Sequence, residues 1–377
     1  MKKILFVATV ASHLNAFHLD DFQFFKEAGW EVHVAIGTDP EIRGEKHVFD
    51  CDKQYIIDVS RIPWKMQNFR GIKQLKDIIN KEKYDIIHAH TPMGGVVARV
   101  AARESRKKFS TKVLYTCHGA HFYKGAPFIN WLIYYPIEKI LAHLTDCFIA
   151  INQEDYECAK RRIEAKTVCY VLGVGYQDKF KKYLPDEKPF LREKLGLKND
   201  SFYIGFVGEL NDNKNQTFLI KVVKYIKDNF KIPITLLLVG EGKNKVKLKE
   251  FIQNEQLEDE VKMLGYREDI PEILGAMDVY VAASKREGLA VNIMEALASG
   301  LPVVCTKARG QSELILNEKC GYILEKDDMI HFAEKVVFLL KNQEIRCEFA
   351  ECAAKHAAQY SKKEIRPLIE KVYQRYL

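Results

Sequence analysis

The feature that most limits the fold is a recurrence. Short, nearly unbroken apolar runs alternate with longer amphipathic stretches, and the series occurs twice. The runs in the first half are Ile4–Val10, Val32–Ile36, Asp85–Ala89, Val113–Cys117, Cys147–Ile151 and Val168–Leu172. Those in the second half are Tyr203–Val207, Ile234–Val239, Val261–Leu264, Val279–Ala283, Pro302–Cys305 and Tyr322–Leu324. Runs this short, separated by segments of helical spacing, read as parallel strands buried on both faces. Two such series predict two doubly wound α/β domains. The boundary falls near 173–189, where Gly173, Gly175, Pro185 and Pro189 cluster with charged residues. The expected division is 1–175 and 176–360. A closing helix over 361–377, capped at Ser361 and apolar at Ile365, Leu368, Ile369, Val372 and Tyr376, would pack back on the first domain.

The chain has 377 residues, enough for two full cores. Its net charge of +7 suits phosphorylated ligands or an anionic membrane surface without requiring either, and nothing points to nucleic acid. Nine scattered cysteines without a CxxC fit a reduced, cytoplasmic compartment. The start, Met1 to Val10, has the look of a signal peptide. It runs into His13, Asn15, His18 and Asp20 without a small-residue cleavage site, and reads better as a first parallel strand. No apolar run approaches membrane-spanning length.

In doubly wound folds ligands sit beyond the carboxyl ends of the strands. The stretch Ala283 to Cys305 holds two glutamates there, Glu287 and Glu295. It reads as a strand to Ala283, a polar loop Lys285–Gly288, and a helix Leu289–Ala298 ended by Gly300-Leu-Pro302. A helix start after a strand attracts anions, and Lys285 and Arg286 add positive charge to it. If helical throughout, the glutamates would stand about 12 Å apart at 1.5 Å per residue. That exceeds the roughly 5–9.5 Å of glycosidase acid pairs. Separate contacts fit better, Glu287 to a transferred sugar and Glu295 to ribose hydroxyls. The bland alternative is two solvated helix charges.

Other strand ends carry weaker signals. Tyr203 to Gly208 reads as a strand ending in glycine, then a polar loop opening a helix, in which Lys214 would by itself be an ordinary exposed lysine. Val239-Gly240-Glu-Gly242 reads as a tight turn. Arg267, after the run at Val261–Leu264, either meets a base or phosphate or pairs with Glu268 or Asp269 on the surface. Tyr115-Thr-Cys-His118-Gly-Ala-His121 puts histidines where a sugar hydroxyl would meet them, although structural histidines in a turn are the plain alternative. Asn15 and His18 either touch an acceptor or cap a helix. His88 and His90 are weaker candidates, one of them structural. No histidine pairs with cysteine or acid at metal-site spacing.

Glu287-Gly-Leu-Ala-Val-Asn-Ile-Met-Glu295, followed by Ala296-Leu-Ala-Ser-Gly-Leu-Pro-Val-Val304, resembles the EX7E signature of glycosyltransferase family 4. The resemblance covers nearly the whole chain. It implies a GT-B fold, with two Rossmann-like domains facing a central cleft. It further implies a nucleotide-diphosphate sugar as co-substrate, retention of configuration, and neither cofactor nor metal. By the same resemblance His118 and Glu287 are catalytic. Gly208, Lys214, Arg267, Lys285, Gly288, Leu289 and Glu295 bind the donor, and Asn15, His18 and His121 the acceptor. Glu209 departs from the pattern, standing where many relatives have arginine.

The run His118 to Pro127 and Asn130-Trp-Leu-Ile-Tyr-Tyr-Pro136 is similar to bacterial enzymes of capsule, exopolysaccharide or lipid-linked oligosaccharide synthesis. The expectation is a UDP-sugar donor, an N-acetylhexosamine or hexose. The expected acceptor is a polyprenyl-diphosphate-linked saccharide, reached from the inner face of the cell membrane. Arg99, Arg103, Arg106, Lys107, Lys108 and Lys112, with the aromatics from Phe122 to Tyr135, would face the bilayer. The alternatives are an isomerase or hydrolase like UDP-N-acetylglucosamine 2-epimerase, and a catalytically silent nucleotide-sugar-binding protein.

Overall fold

The computed structural model describes residues 1–37 and 49–377. They form two compact units, Met1–Val174 with Ile365–Leu377, and Gly175–Glu364. Each is an all-parallel sheet with helical crossovers.

The strands of the first unit are β1 (Lys3–Ala8), β2 (Glu31–Gly37), β3 (Lys53–Ile57), β4 (Ile86–Ala89), β5 (Lys112–Cys117), β6 (Cys147–Ala150) and β7 (Val168–Tyr170), in the order β3-β2-β1-β4-β5-β6-β7. Those of the second are β8 (Phe202–Val207), β9 (Ile234–Val239), β10 (Val261–Gly265), β11 (Val279–Ala282), β12 (Val303–Thr306) and β13 (Gly321–Leu324), in the order β10-β9-β8-β11-β12-β13.

Unbroken apolar runs become strands here because both sheet faces are covered. Alternate residues of β1 show this. Ile4, Phe6 and Ala8 join one core with Phe22, Phe25 and Val34, while Leu5 and Val7 join another with Leu75, Ile79 and Val97. Ile365, Val372 and Tyr373 of the final helix Lys362–Tyr373 complete the first of these cores. The strand absent from the sequence reading is β3, Lys-Gln-Tyr-Ile-Ile at the sheet edge. Only Ile57 in it is fully buried, so no continuous apolar run marks it.

Strand order reverses between β1 and β4 in the first sheet and between β8 and β11 in the second. Loops leaving neighbouring strands on opposite sides of such a point open a crevice at the carboxyl edge. The residues that follow assemble at these two crevices.

Candidate active site

In the second unit, the loops after β8, β11 and β12 are knitted together. Asn211 Oδ1 accepts the backbone N–H groups of Asn213 and Lys214, each at 3.0 Å, which turns the chain after β8. Asn213 Nδ2 then donates to the Arg286 carbonyl at 2.9 Å, and the Lys285 N–H to the Asn213 carbonyl at 2.7 Å. These bonds bring two residues 73 apart in sequence into contact: Lys214 Nζ donates to Glu287 Oε1 at 2.6 Å.

From the other side, the N–H of Glu287 donates to the Arg309 carbonyl at 2.9 Å, and that of Ala290 to the Gly310 carbonyl at 2.7 Å. Gly310 has φ of 73°, and a Cβ there would stand 2.5 Å from the Glu287 carbonyl oxygen, so only glycine lets the loops approach. Buried Gln311 donates to the Thr306 carbonyl at 2.5 Å and the Ser284 carbonyl at 3.3 Å. The 309–311 corner did not stand out in the sequence. Its signal is a glycine just past a short apolar run, the same one that marked Gly208.

The helix after β11 spans Val291–Ala298 and begins two residues later than the sequence predicts. Ala290 is extended, with φ −78° and ψ 95°. Leu289 is buried, and the bond from Ala290 to Gly310 holds this stretch out of the helix. Asn292 Nδ2 donates to the Val207 carbonyl at 2.8 Å, tying the helix start to the end of β8. Gly208 continues with φ of 152°. A Cβ on Gly240, whose φ is 133°, would stand 2.2 Å from the Gly208 carbonyl oxygen. The glycine read as a plain turn therefore permits the loops after β8 and β9 to touch.

The donor-side candidates do not all converge. Lys285 is exposed and Gly288 partly buried beside Glu287. Arg267 pairs with Asp269, its Nε donating to Oδ1 at 2.7 Å. That is the surface ion pair given above as its plain alternative.

Glu295 lies mid-helix. Burial raises its pKa from the usual carboxylate value to about 7, with Lys179 offsetting part of the effect. Glu287 and Glu295 both act electrostatically on the fully buried Tyr280, whose hydroxyl accepts the Val207 N–H at 3.1 Å. One buried phenol thus senses both acids. Because the folded pKa of Glu295 is raised, its contribution favours folding at low pH and is lost as pH rises from about 4.5 to about 7. Replacing Glu295 with glutamine removes that loss. The variant should gain roughly 2–3 kcal/mol of stability at pH 8 relative to its difference at pH 4, read by denaturant unfolding at both pH values.

In the first unit, His13, His18, His90 and His118 gather at the carboxyl ends of β1, β4 and β5. His18 and His90 are buried and the other two partly so. Ring centroids lie 3.8 Å apart for His18 and His90, and 4.3 Å for His13 and His118. His18 Nδ1 bonds Asp21 Oδ2 at 2.8 Å, and His90 Nδ1 approaches His118 Nε2 at 3.3 Å. Burial, reinforced by the neighbouring histidines, drives the pKa of His90 and His118 far below the usual range and that of His13 to about 3. These rings are neutral at physiological pH. His88 spends both nitrogens structurally, on Thr116 Oγ1 at 2.8 Å and Tyr373 Oη at 3.0 Å. The turn carrying His118 is held by Asp155, whose Oδ2 accepts the Ala120 N–H at 3.1 Å.

Beside this cluster lies a cavity of about 500 Å³ lined by Thr9, His13, Arg61, Trp64, His121 and Glu138, among others. His121 stacks on Tyr134 with centroids 4.7 Å apart. Asn15 sits in the helix Ala11–Phe17, partly buried, and does not line the cavity. His18 occupies the cap position of the helix Leu19–Glu27 without a side-chain capping bond.

The basic surface is smaller than the sequence suggests. Arg99 is fully buried, pairs with Glu138 and lies 4.0 Å over the Tyr115 ring. Arg106 pairs with Asp146 at 3.1 Å. Among the exposed apolar residues are several on the helix Phe128–Ala142, with Phe128 80%, Ile140 66% and Leu132 60% accessible. Phe122 is buried beneath it. Among the described residues no helix is long and apolar enough to cross a membrane.

Two family models match this chain, "Glycosyl transferase 4-like" over residues 3–152 and "Glycosyl transferases group 1" over residues 187–356. The putative glycosyltransferase EpsD of Bacillus subtilis (strain 168) is 39% identical over 380 residues, covering 100% of this chain and 97% of EpsD. The chain belongs to glycosyltransferase family 4. A second relative of this transferase is the Escherichia coli UDP-Gal:alpha-D-GlcNAc-diphosphoundecaprenol alpha-1,3-galactosyltransferase, 34% identical over 73% of each chain. The transferase shares its GT-B fold with the Anabaena HepE protein, solved in complex with UDP and glucose. The TM-score is 0.79 at 21% identity, covering 99% of this chain and 100% of that one. With these relatives it is a glycosyltransferase of polysaccharide synthesis.

Proposed function

We propose that the protein transfers a hexose or N-acetylhexosamine from a UDP-sugar to a polyprenyl-diphosphate-linked saccharide with retention of configuration. The observation that carries this reading is the Lys214–Glu287 pair, held at the start of the helix Val291–Ala298 by three strand-end loops. The helix amides and Lys214 offer positive charge to a diphosphate without help from a metal. Glu287, already hydrogen-bonded to the lysine that meets the phosphate, accepts hydroxyls of the transferred sugar. Glu295, four residues into the same helix, accepts ribose hydroxyls once ionised. Glu209, exposed on the loop after β8, contributes no positive charge there.

On the acceptor side, neutral His118 offers a lone pair to the attacking hydroxyl, and the cavity beside it takes the saccharide. The sugar's own leaving diphosphate assists attack from the same face, so no covalent nucleophile is required. The relative from Escherichia coli is named for an acceptor on diphosphoundecaprenol, which supports a lipid-linked substrate. The apolar face of the helix Phe128–Ala142 would rest on the inner leaflet that carries it.

The test is an assay of UDP-sugars with and without a polyprenyl-diphosphate-linked saccharide, following UDP release and the anomeric configuration of the product by NMR. Acceptor-dependent release with a retained α linkage is expected. UDP release at the same rate without acceptor would point to an isomerase or hydrolase, and an inverted product would overturn the retaining mechanism. The KM for donor should fall as pH rises through about 7, following ionisation of Glu295, with kcat nearly flat. In Glu295→Gln that pH dependence should vanish.

A further inference from the structure

Catalysis as proposed needs one histidine of the first unit, yet four converge. His13, His18, His90 and His118 each offer a ring nitrogen, and these four atoms lie within 4.8 Å of one another. The rings come from the ends of β1, β4 and β5, neighbours in the sheet, so the backbone holds them in place. The Nε2 atoms of His13, His18 and His90 are buried without a hydrogen-bond partner. Each such orphan costs about 1–3 kcal/mol unless something satisfies it. Orphan nitrogens on three rings of one cluster are what a bound cation would satisfy.

A second observation points the same way. His18 bonds Asp21 through Nδ1 at 2.8 Å, which leaves Nε2 as its remaining nitrogen. A carboxylate on the far nitrogen fixes the tautomer of a metal-binding histidine and raises its basicity. We propose that His13, His18, His90 and His118 bind one divalent transition-metal ion of the zinc class. Imidazole selects zinc, nickel or copper over magnesium and calcium, which take oxygen. Zinc–nitrogen bonds of about 2.05 Å in a tetrahedron set the nitrogens ~3.4 Å apart. Distances near the 4.8 Å limit close with ring shifts of about 1 Å. Arg61 lies close enough to His13 to oppose a cation, and Asp21 offsets it.

The other cluster of this kind among the described residues, Glu31, His33 and Glu82, is already neutralised. Lys3 and Lys53 hold Glu82 at 2.9 and 3.2 Å, and Tyr84 holds His33 at 2.7 Å. It serves as the control.

The full chain, stripped with chelator, is dialysed against Zn2+ and bound metal counted by elemental analysis. Co2+ is used in parallel for its visible absorption. One Zn2+ per chain is expected, with the intense bands of four-coordinate Co2+. His18→Gln should abolish this, Asp21→Asn should weaken Zn2+ binding about 10- to 100-fold, and His33→Gln should change nothing. Zinc bound at less than a tenth of an equivalent, or bound equally well by His18→Gln, would overturn the proposal. Should a variant fail to fold, the stoichiometry and Co2+ spectrum of the unaltered chain decide alone. Zinc on His118 also withdraws the lone pair that the proposed transfer uses, so added Zn2+ should inhibit and chelator should restore activity. That consequence rests on the role proposed for His118. One Zn2+ bound with no inhibition would uphold the metal site and overturn only that role.

Discussion

Lys214→Ala and Glu287→Ala should both lower kcat/KM for transfer by about 10²–10³, and they should part company in UDP binding. The magnitude is that of removing one preorganised group aimed at the charge that develops in the transition state. Lys214→Ala takes away the cation proposed to meet the diphosphate, so UDP affinity should fall roughly tenfold, about 1.4 kcal/mol. Glu287→Ala releases Lys214 from a 2.6 Å ion pair and leaves it wholly to the phosphate. UDP alone should then bind equally well or more tightly, although the sugar loses its contact. Calorimetric titration with UDP, beside steady-state kinetics, separates the two. A loss of UDP affinity in Glu287→Ala as large as in Lys214→Ala would mean that the glutamate serves to position the lysine, and the assignment to the sugar would fall.

His118→Ala should reduce kcat by about 10²–10⁴, the range for a positioned general base, with UDP affinity unchanged within about twofold. The ring belongs to the first unit and the residues proposed to hold the diphosphate to the second. Because burial holds His118 neutral far below the usual histidine range, kcat should show no ionisation between pH 6 and 8 that this variant removes. A limb near pH 6.5 lost in His118→Ala would show a ring exposed to solvent during turnover. An unchanged kcat would sink the catalytic assignment outright.

Sequence reading reached the strands because each runs apolar on both faces, and every strand it found ends within a few residues of its predicted place. It missed β3 because that edge strand opens on exposed Lys53 and Gln54, leaving too short an apolar stretch to stand out. At the candidate site, the residues legible in the sequence were those shortly after a strand, as at Gly208, His118 and Glu287. The pairing of Lys214 with Glu287 was not, since hydrogen bonds among three loops create it. The helix start was read two residues early because Leu289 and Ala290 are good helix formers. Tertiary bonds to the 309–311 corner override that propensity. Arg99 was read as a surface charge beside other basic residues. Its burial depends on Glu138, 39 residues away. The histidine cluster escaped notice for a related reason. Local spacing was the criterion for a metal site, whereas the four rings are assembled by strand order.

The helix that closes the first core has a consequence for synthesis. Tyr373 is fully buried among Phe24, Phe25 and His88, and its hydroxyl is one of the two bonds that fix His88 beneath the histidine cluster. On the ribosome, residues 1–174 emerge first but lack this plug, whereas residues 175–364, which emerge later, make up the second unit without a segment from further along the chain. Nascent chains therefore carry an open apolar slot until residues 365–377 appear, and the later unit can reach its native state before the earlier one. A chain halted at residue 364 would display that slot to chaperones and proteases.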